Sequence, residues 1–348
     1  MPPLVLGERR HLSNSQVELL LECSWKHKLK YIDDITEPST EHLVVGAAVH
    51  RGVESYRIAQ MEGRLSEWSE DRRNDIVLKS MNDEFDKLLH EAEHGTGEDA
   101  ETPRAATGMQ WSAGMNADRS RQLAKQLLNA YFYKPTESDN PDEARLPLAA
   151  IDVPVSIEES FYVPIPKTDN WFAKGRFDMV TKNGIVDLKT ARQKYSQKEM
   201  DKKTQPSFYS LAWLAKTGEF LPDFRFHMLI KPQRSAWTPS SGESPPEHLG
   251  AYRTAVQQTR RRPSEVAWFL DTLRQQIYQI EVGAQVRRQN ADWCDYCGVA
   301  KHCKPWLSAG SKADDVLYSL REELRDLSHM GQGESPPIGK VLEDGQFE

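Results

Sequence analysis

Four cysteines are all that this 348-residue chain contains, and it has no long apolar run and no phosphate-cradling GxxxxGK[ST] loop. Without a stretch of about 18 apolar residues, a transmembrane helix is not expected. The opening "MPPLVLGERRHLSNS" has too short an apolar segment for a signal peptide and no cleavage pattern. The expectation is therefore a cytoplasmic, reducing setting with no membrane partner, where clustered cysteines serve as metal ligands or redox groups more often than as disulfides. The missing phosphate loop argues against an attached ATP motor, and no internal repeat is present.

What is there fits a soluble globular protein: 38% apolar and 28% charged residues, in a chain long enough for one large domain with insertions or two smaller ones. The net charge of −7 is uneven, because residues 311–348 alone carry −5. The remaining body is close to neutral and holds basic clusters: "KHKLK" from Lys26, Lys202 with Lys203, Arg260 to Arg262, and Arg287 with Arg288. Each is a solvated face or part of a basic groove for a polyanion.

Three of the cysteines, Cys294, Cys297 and Cys303, fall within "ADWCDYCGVAKHC". Ligands spaced this closely suit a thiophilic metal, which asks for a fourth donor. The candidates are distant Cys23 and, as a fallback, His27 or His302. Ser13 and Gln16 read as a capping box for a helix in which Val17, Leu20, Leu21, Trp25 and Leu29 recur at helical spacing, with Cys23 in its middle. "EHLVVGAAVHRGVESYRIAQ" reads as a second helix with His50 and Glu54 one turn apart, and polar helical sequence continues to about Leu89. A loop over Glu91 to Gly114 precedes a helix around Leu123 to Tyr133. From Ile151 the pattern changes to the β-type runs "VPVSIEESFYV", "WFAKGRFDMVT" and "GIVDLKT". A helix over about Ser196 to Lys216 must restart near Gln205, because Pro206 fits only a first turn. "FRFHMLIKP" predicts a further strand, "SAWTPSSGESPPEH" a loop, and Pro263 to Val282 a long amphipathic helix.

"KGRFDMVTKNGIVDLKT" is the most informative stretch. Asn183-Gly184 predicts a two-residue hairpin turn with Lys182 opposite Ile185, which sets Val180 against Asp187 and Asp178 against Lys189. Alternation then puts Asp178, Asp187 and Lys189 on one face. Carboxylates and an ammonium beside Ile185, Val186 and Leu188 are either an ion pair at the sheet edge or a site for Mg²⁺ or Mn²⁺. Such an ion activates water and neutralises charge on a phosphate.

Taken in order, the motifs resemble the RecB-type branch of the PD-(D/E)XK nucleases. "GAAVH" with His50, "GRFD" with Asp178, "DLK" with Asp187 and Lys189, and "QPSFY" with Gln205 and Tyr209 match that branch's motifs. The resemblance implies that His50, Asp178 and Asp187 bind the metal, that Lys189 is the catalytic lysine, and that Gln205 and Tyr209 orient the lysine and the DNA. Glu54 shares the face of His50 as a possible helper. The proline that names the superfamily is absent, and Pro206 after Gln205 departs from the pattern. The same branch includes members with an iron–sulfur cluster, among them CRISPR-associated exonucleases and exonuclease V. In those, one cysteine in an early helix joins three spaced Cys-x2-Cys-x5-Cys near the C-terminus, as Cys23, Cys294, Cys297 and Cys303 are here. The resemblance implies [4Fe–4S], with Zn²⁺ as the alternative.

The resulting expectation is an α/β protein with a restriction-endonuclease-like mixed central sheet flanked by helices. Residues 1–147 form a helical N-terminal region with an insertion over 60–135. Residues 148–262 form the nuclease core, 263–310 a helix and cysteine cluster packing back on the first helix, and 311–348 an acidic tail. The expected activity is metal-dependent exonucleolytic hydrolysis of DNA, single-stranded or with free ends, in recombination, repair or end processing beside recombination or helicase proteins. The rivals are a DNA-binding scaffold that cleaves poorly and a zinc-stapled interaction protein.

Overall fold

Ser13 starts the first helix, α1 (Asn14–Tyr31), by the reciprocal cap its sequence predicts. The Gln16 N–H donates to the Ser13 hydroxyl at 3.3 Å and the Ser13 N–H to the Gln16 side chain at 2.9 Å. Two donors that no helical carbonyl reaches are thereby satisfied. The helix does not run through unbroken, however. Cys23 has φ −157° and ψ 101°, extended backbone inside a helix. The Trp25 N–H donates to the Val286 carbonyl at 3.2 Å, and Ser24 and Val286 exchange bonds of 3.2 and 3.0 Å. The expected place of Cys23 in mid-helix is corrected: it sits at a kink, where the segment after the last long helix is stitched on.

The computed structural model describes residues 10–96, 107–232, 251–287, 294 and 297–303. Two compact units divide the chain, Met1–Arg288 and Gln289–Glu348. The "SAWTPSSGESPPEH" loop, residues 97–106 and the acidic tail lie outside the described residues. The expected loop over Glu91 to Gly114 is corrected at both ends, because helix continues to His94 and Met109–Gln110 form a short strand. Among those described, no helix is long and apolar enough to cross a membrane.

In the first unit, α2 (Glu41–Met61), α3 (Glu70–His94) and α4 (Ala117–Tyr133) precede the main strands. β5 (Pro154–Pro164), β6 (Trp171–Thr181) and β7 (Ile185–Ala191) follow, then α5 (Gln197–Lys202) and α6 (Thr204–Thr217). β8 (Asp223–Ile230), β9 (Arg253–Arg260) and α7 (Pro263–Glu281) complete it. With short β1 (Arg10–Leu12) and β4 (Thr136–Glu137) at its edges, the seven-stranded sheet runs β1-β6-β7-β8-β9-β4, and β5 also pairs with β6. The sheet is mixed: β7 and β8 are parallel, β6 and β7 antiparallel. A second small ladder joins β2 (Ser39–Thr40) to β3 (Met109–Gln110).

Apolar clusters cover both faces. Val17, Phe177, Phe208, Phe224 and Leu273 join α1, α6 and α7 to the sheet on one side. Val49, Val53, Phe85, Leu128, Leu188 and Leu229 join α2, α3 and α4 to it on the other. Pro206 occupies the first turn of α6, where its missing N–H costs nothing, as expected. β9 is a strand that alternation missed. Its inward positions include polar Thr254 and Thr259, satisfied by Thr136 at 3.2 Å and Asp201 at 2.9 Å.

The hairpin register differs from the expected one. Val180 pairs with Ile185 and Met179 with Val186, so residues 181–184 form the loop. The Thr181 hydroxyl closes it, donating to the Gly184 carbonyl at 3.0 Å and accepting the N–H groups of Asn183 and Gly184 at 3.2 Å each. Gly184 is needed for close approach: a Cβ there would run into the Asp223 carbonyl oxygen. The register shift moves Asp178 from opposite Lys189 to opposite Asp187.

In the second unit, the Cys297 N–H donates to the Cys294 carbonyl at 3.3 Å and the Ala300 N–H to the Cys297 carbonyl at 3.0 Å. This tight turn leads into α8 (Ala300–Cys303).

Candidate active site

β7 carries the central pair. Asp187 is only 2% exposed, and its Oδ1 accepts a 2.6 Å bond from the Gln205 amide in the first turn of α6. Its Oδ2 lies 2.9 Å from the Lys189 ammonium. Burial pushes the Asp187 carboxyl up to about 6, Lys189 pulls it back, and Asp178 adds to the rise. For Lys189, burial lowers the pKa but Asp187 more than offsets this, so the ammonium is held above the usual lysine range. Tyr209, one turn beyond Gln205, bonds to it, and burial raises its phenol. Its ring packs edge-on against Phe161 and Phe177. Gln205 and Tyr209 thus brace Asp187 from one side.

Beyond Met179 the strands β6 and β7 part, and Asp178 sits at the parting. Its Oδ2 accepts the Leu188 N–H at 3.0 Å, a donor that continued pairing would have spent on β6. The same oxygen is 3.5 Å from the His50 Nδ1 on α2. Trp171, Ala173, Phe177 and Val180 all belong to one apolar cluster, so strict alternation along β6 breaks between Phe177 and Val180, next to Asp178. Across from it on β5, Glu158 has φ 50°. Burial pushes the Glu158 carboxyl up to about 7, Asp178 adds to this, and Arg176, its ion-pair partner, opposes it. No motif singles out Glu158 among the glutamates of "SIEESF", and sequence reasoning missed it.

His50, Glu54, Glu158 and Asp178 line a small pocket of about 30 Å³, room for a single water or ion. Glu54, one turn from His50, pairs with Arg51. Three carboxylates and an imidazole are the donor types that Mg²⁺ or Mn²⁺ accepts. The raised carboxyls of Asp187 and Glu158 mark negative charge that a cation would relieve. Among the described residues no three His, Cys, Asp or Glu side chains are grouped tightly enough to chelate as they stand. The donor set fits; its closing on an ion requires these carboxylates to turn from Lys189, His50 and Arg176. Because bound carboxylates must be deprotonated, Mn²⁺ affinity should fall as pH drops through about 7 and then about 6. Each proton displaced steepens that fall by about tenfold per pH unit, which calorimetric titration between pH 5 and 8 would read.

Below this cavity Arg57 anchors α2. It is 2% exposed, and every N–H of its guanidinium has a partner. Nε donates to the Tyr131 hydroxyl at 2.6 Å, Nη1 to Gln60 at 2.8 Å and the Asp152 carbonyl at 2.9 Å, and Nη2 to the Leu148 and Ile151 carbonyls at 2.9 Å each. Asp152 in turn bonds Arg225 at 2.6 Å and His227 at 2.9 Å. Arg57→Met should destabilise the fold by about 3–5 kcal/mol, since it strands buried acceptors and leaves a charge network short of a partner. Urea unfolding measures this directly.

All four cysteines are half-buried. Cys23 belongs to the first unit, the other three to the second, where the Cys303 N–H donates to the Val299 carbonyl at 3.1 Å. Four thiols are the donor set of either [4Fe–4S] or Zn²⁺. Of the fallback ligands, His302 is exposed. His27 is buried, with neither ring nitrogen hydrogen-bonded, and burial lowers its pKa to about 4.

His50, Asp178, Asp187, Lys189, Gln205 and Tyr209 thus form one linked network on α2, β6, β7 and α6. A search of curated proteins finds no match. The family model described as the PD-(D/E)XK nuclease superfamily matches residues 11–304, a span that holds every residue of that network. This protein belongs to the PD-(D/E)XK nuclease superfamily.

Proposed function

We propose that this protein is a metal-dependent DNA exonuclease of the RecB-type, iron–sulfur-containing branch, acting on single strands with a free end. The observation that carries the proposal is the pairing of buried Asp187 with Lys189 beside Asp178 and His50, where β6 and β7 separate. A structural ion pair needs no such neighbours.

His50, Asp178 and Asp187 would hold Mg²⁺ or Mn²⁺, with Glu158 as a further carboxylate in the cavity that His50 and Asp178 line. When bound, the ion lowers the pKa of a water and neutralises charge on the scissile phosphate. Lys189, kept protonated by Asp187, is a donor rather than a base, and it orients the attacking water and the phosphate oxygen by hydrogen bonding. Gln205 fixes the rotamer of Asp187, and Tyr209 fixes Gln205. Cys23, Cys294, Cys297 and Cys303 would hold [4Fe–4S], a reading supported by the Cys-x2-Cys-x5-Cys spacing of the last three and by the kink that sets Cys23 apart from its helix. Recombination, repair or end processing is the matching role, alongside recombination or helicase proteins and in a cytoplasmic setting.

Incubation of the full chain with Mn²⁺ and end-labelled strands tests the requirement for an end. Linear single strands should be degraded progressively, while covalently closed circles of the same sequence persist. Equally rapid cutting of the circles would remove the exonuclease assignment.

A further inference from the structure

We propose that the fork between β6 and β7 holds the nucleotide next to the scissile bond, with Lys174 and Lys203 receiving a flanking phosphate. The inference rests on the nuclease reading and specifies how the substrate strand enters. One edge of β6 is shared by two neighbours: β1 pairs with residues 171–173 and β7 with 179–180. Between them neither strand pairs with that edge, and a cleft of about 440 Å³ opens there. Ser13, Asn14, Lys174, Lys189, Tyr195 and Lys203 line it, so the amine of the catalytic pair forms part of its wall.

Size and charge select the occupant. A cleft of this volume lies within the range of about 300–1,000 Å³ that takes one small ligand. Three lysines and one carboxylate, Glu18, line the cleft, and one of the lysines, Lys189, pairs with Asp187. The cavity around His50, Glu158 and Asp178 is carboxylate-rich instead. A cation belongs on that side and a phosphodiester on this one. Lys203 stands at the start of α6 with its ammonium 4.4 Å from the centre of the Tyr195 ring, which positions it at the wall of the cleft. The first turn of α1 contributes hydroxyls and backbone N–H groups, and no acidic residue occupies it.

The test measures binding of a fluorescent single-stranded decamer to the full chain carrying Asp187→Ala, over a range of KCl concentrations. Lys174→Glu and Lys203→Glu should each weaken binding by about tenfold and make the plot of log affinity against log salt shallower by about 0.7 for each phosphate no longer neutralised. In the cleaving enzyme the same changes should raise KM by a similar factor. Lys79→Glu, on the exposed face of α3, should change neither quantity. If the cleaving enzyme works but both reversals leave affinity, salt slope and KM unchanged, the subsite is wrong and the nuclease reading stands. If the unsubstituted chain neither binds nor cuts any strand, both fail together. Thermal melting of each variant shows whether the weaker binding comes from the fold, and weakening without a shallower slope would also count against a phosphate at these lysines.

Discussion

Asp187→Ala and Lys189→Ala should each slow DNA cleavage by about 10³-fold or more, as expected when several kcal/mol of charge stabilisation at the phosphate are lost. The fold should persist in both. Asp187 is a buried carboxyl that burial already pushes up to about 6, so its removal leaves little to compensate, and the Lys189 side chain keeps 31% of its surface exposed toward the cleft. Lys189→Ala is the costlier change for stability, because it leaves Asp187 buried without its counter-charge. Binding of single strands should survive in both, since Lys174 and Lys203 remain. Single-turnover cleavage beside circular dichroism separates lost chemistry from lost structure. Near wild-type cleavage by Asp187→Ala would remove the assignment of the site.

Cys23→Ala should behave like Cys294→Ala, with loss of bound metal, loss of brown colour and a lower melting temperature. A cluster held by Cys23 and the last three cysteines closes a loop of about 270 residues between Cys23 and Cys294. In the chain-entropy model that closure restricts the unfolded state by about 5–6 kcal/mol, an upper figure given residual structure. The kink matters here. Cys23 is extended where its neighbours are helical, and the bonds of Ser24 and Trp25 to Val286 tie down the chain a few residues before Cys294. Protein purified without oxygen should contain iron and sulfide, and zinc without iron would overturn the cluster type. Full metal content and unchanged melting in Cys23→Ala would transfer the fourth position to His27 or His302.

Much of this was legible in residue order because it rests on local chemistry. The Ser13–Gln16 cap, the restart of helix at Pro206 and the three strands from Pro154 to Ala191 follow from short-range rules. What escaped depends on distant partners. Asn183-Gly184 carries a strong hairpin signal, yet the Thr181 hydroxyl and the nearness of the Asp223 carbonyl go with a loop of residues 181–184, both extra residues coming from the β6 side. β9 hides its inward face behind threonines whose hydroxyls are satisfied from β4 and α5. The break at Cys23 is visible only once Val286 is known to lie beside it. Glu158 is one glutamate among several until its backbone twist and its burial against Asp178 set it apart.

Metal add-back on the unsubstituted protein tests the central claim most directly. The chain is stripped of divalent ions by chelation, with any colour of the protein monitored spectroscopically, then given end-labelled linear DNA with and without Mn²⁺. Release of labelled nucleotides should be absent without the ion, appear when it is restored, and rise with pH as the carboxyls that burial holds near 6 and 7 lose their protons. Cleavage that proceeds undiminished in the stripped protein, or none at any Mn²⁺ or Mg²⁺ concentration while the fold is intact, would contradict it.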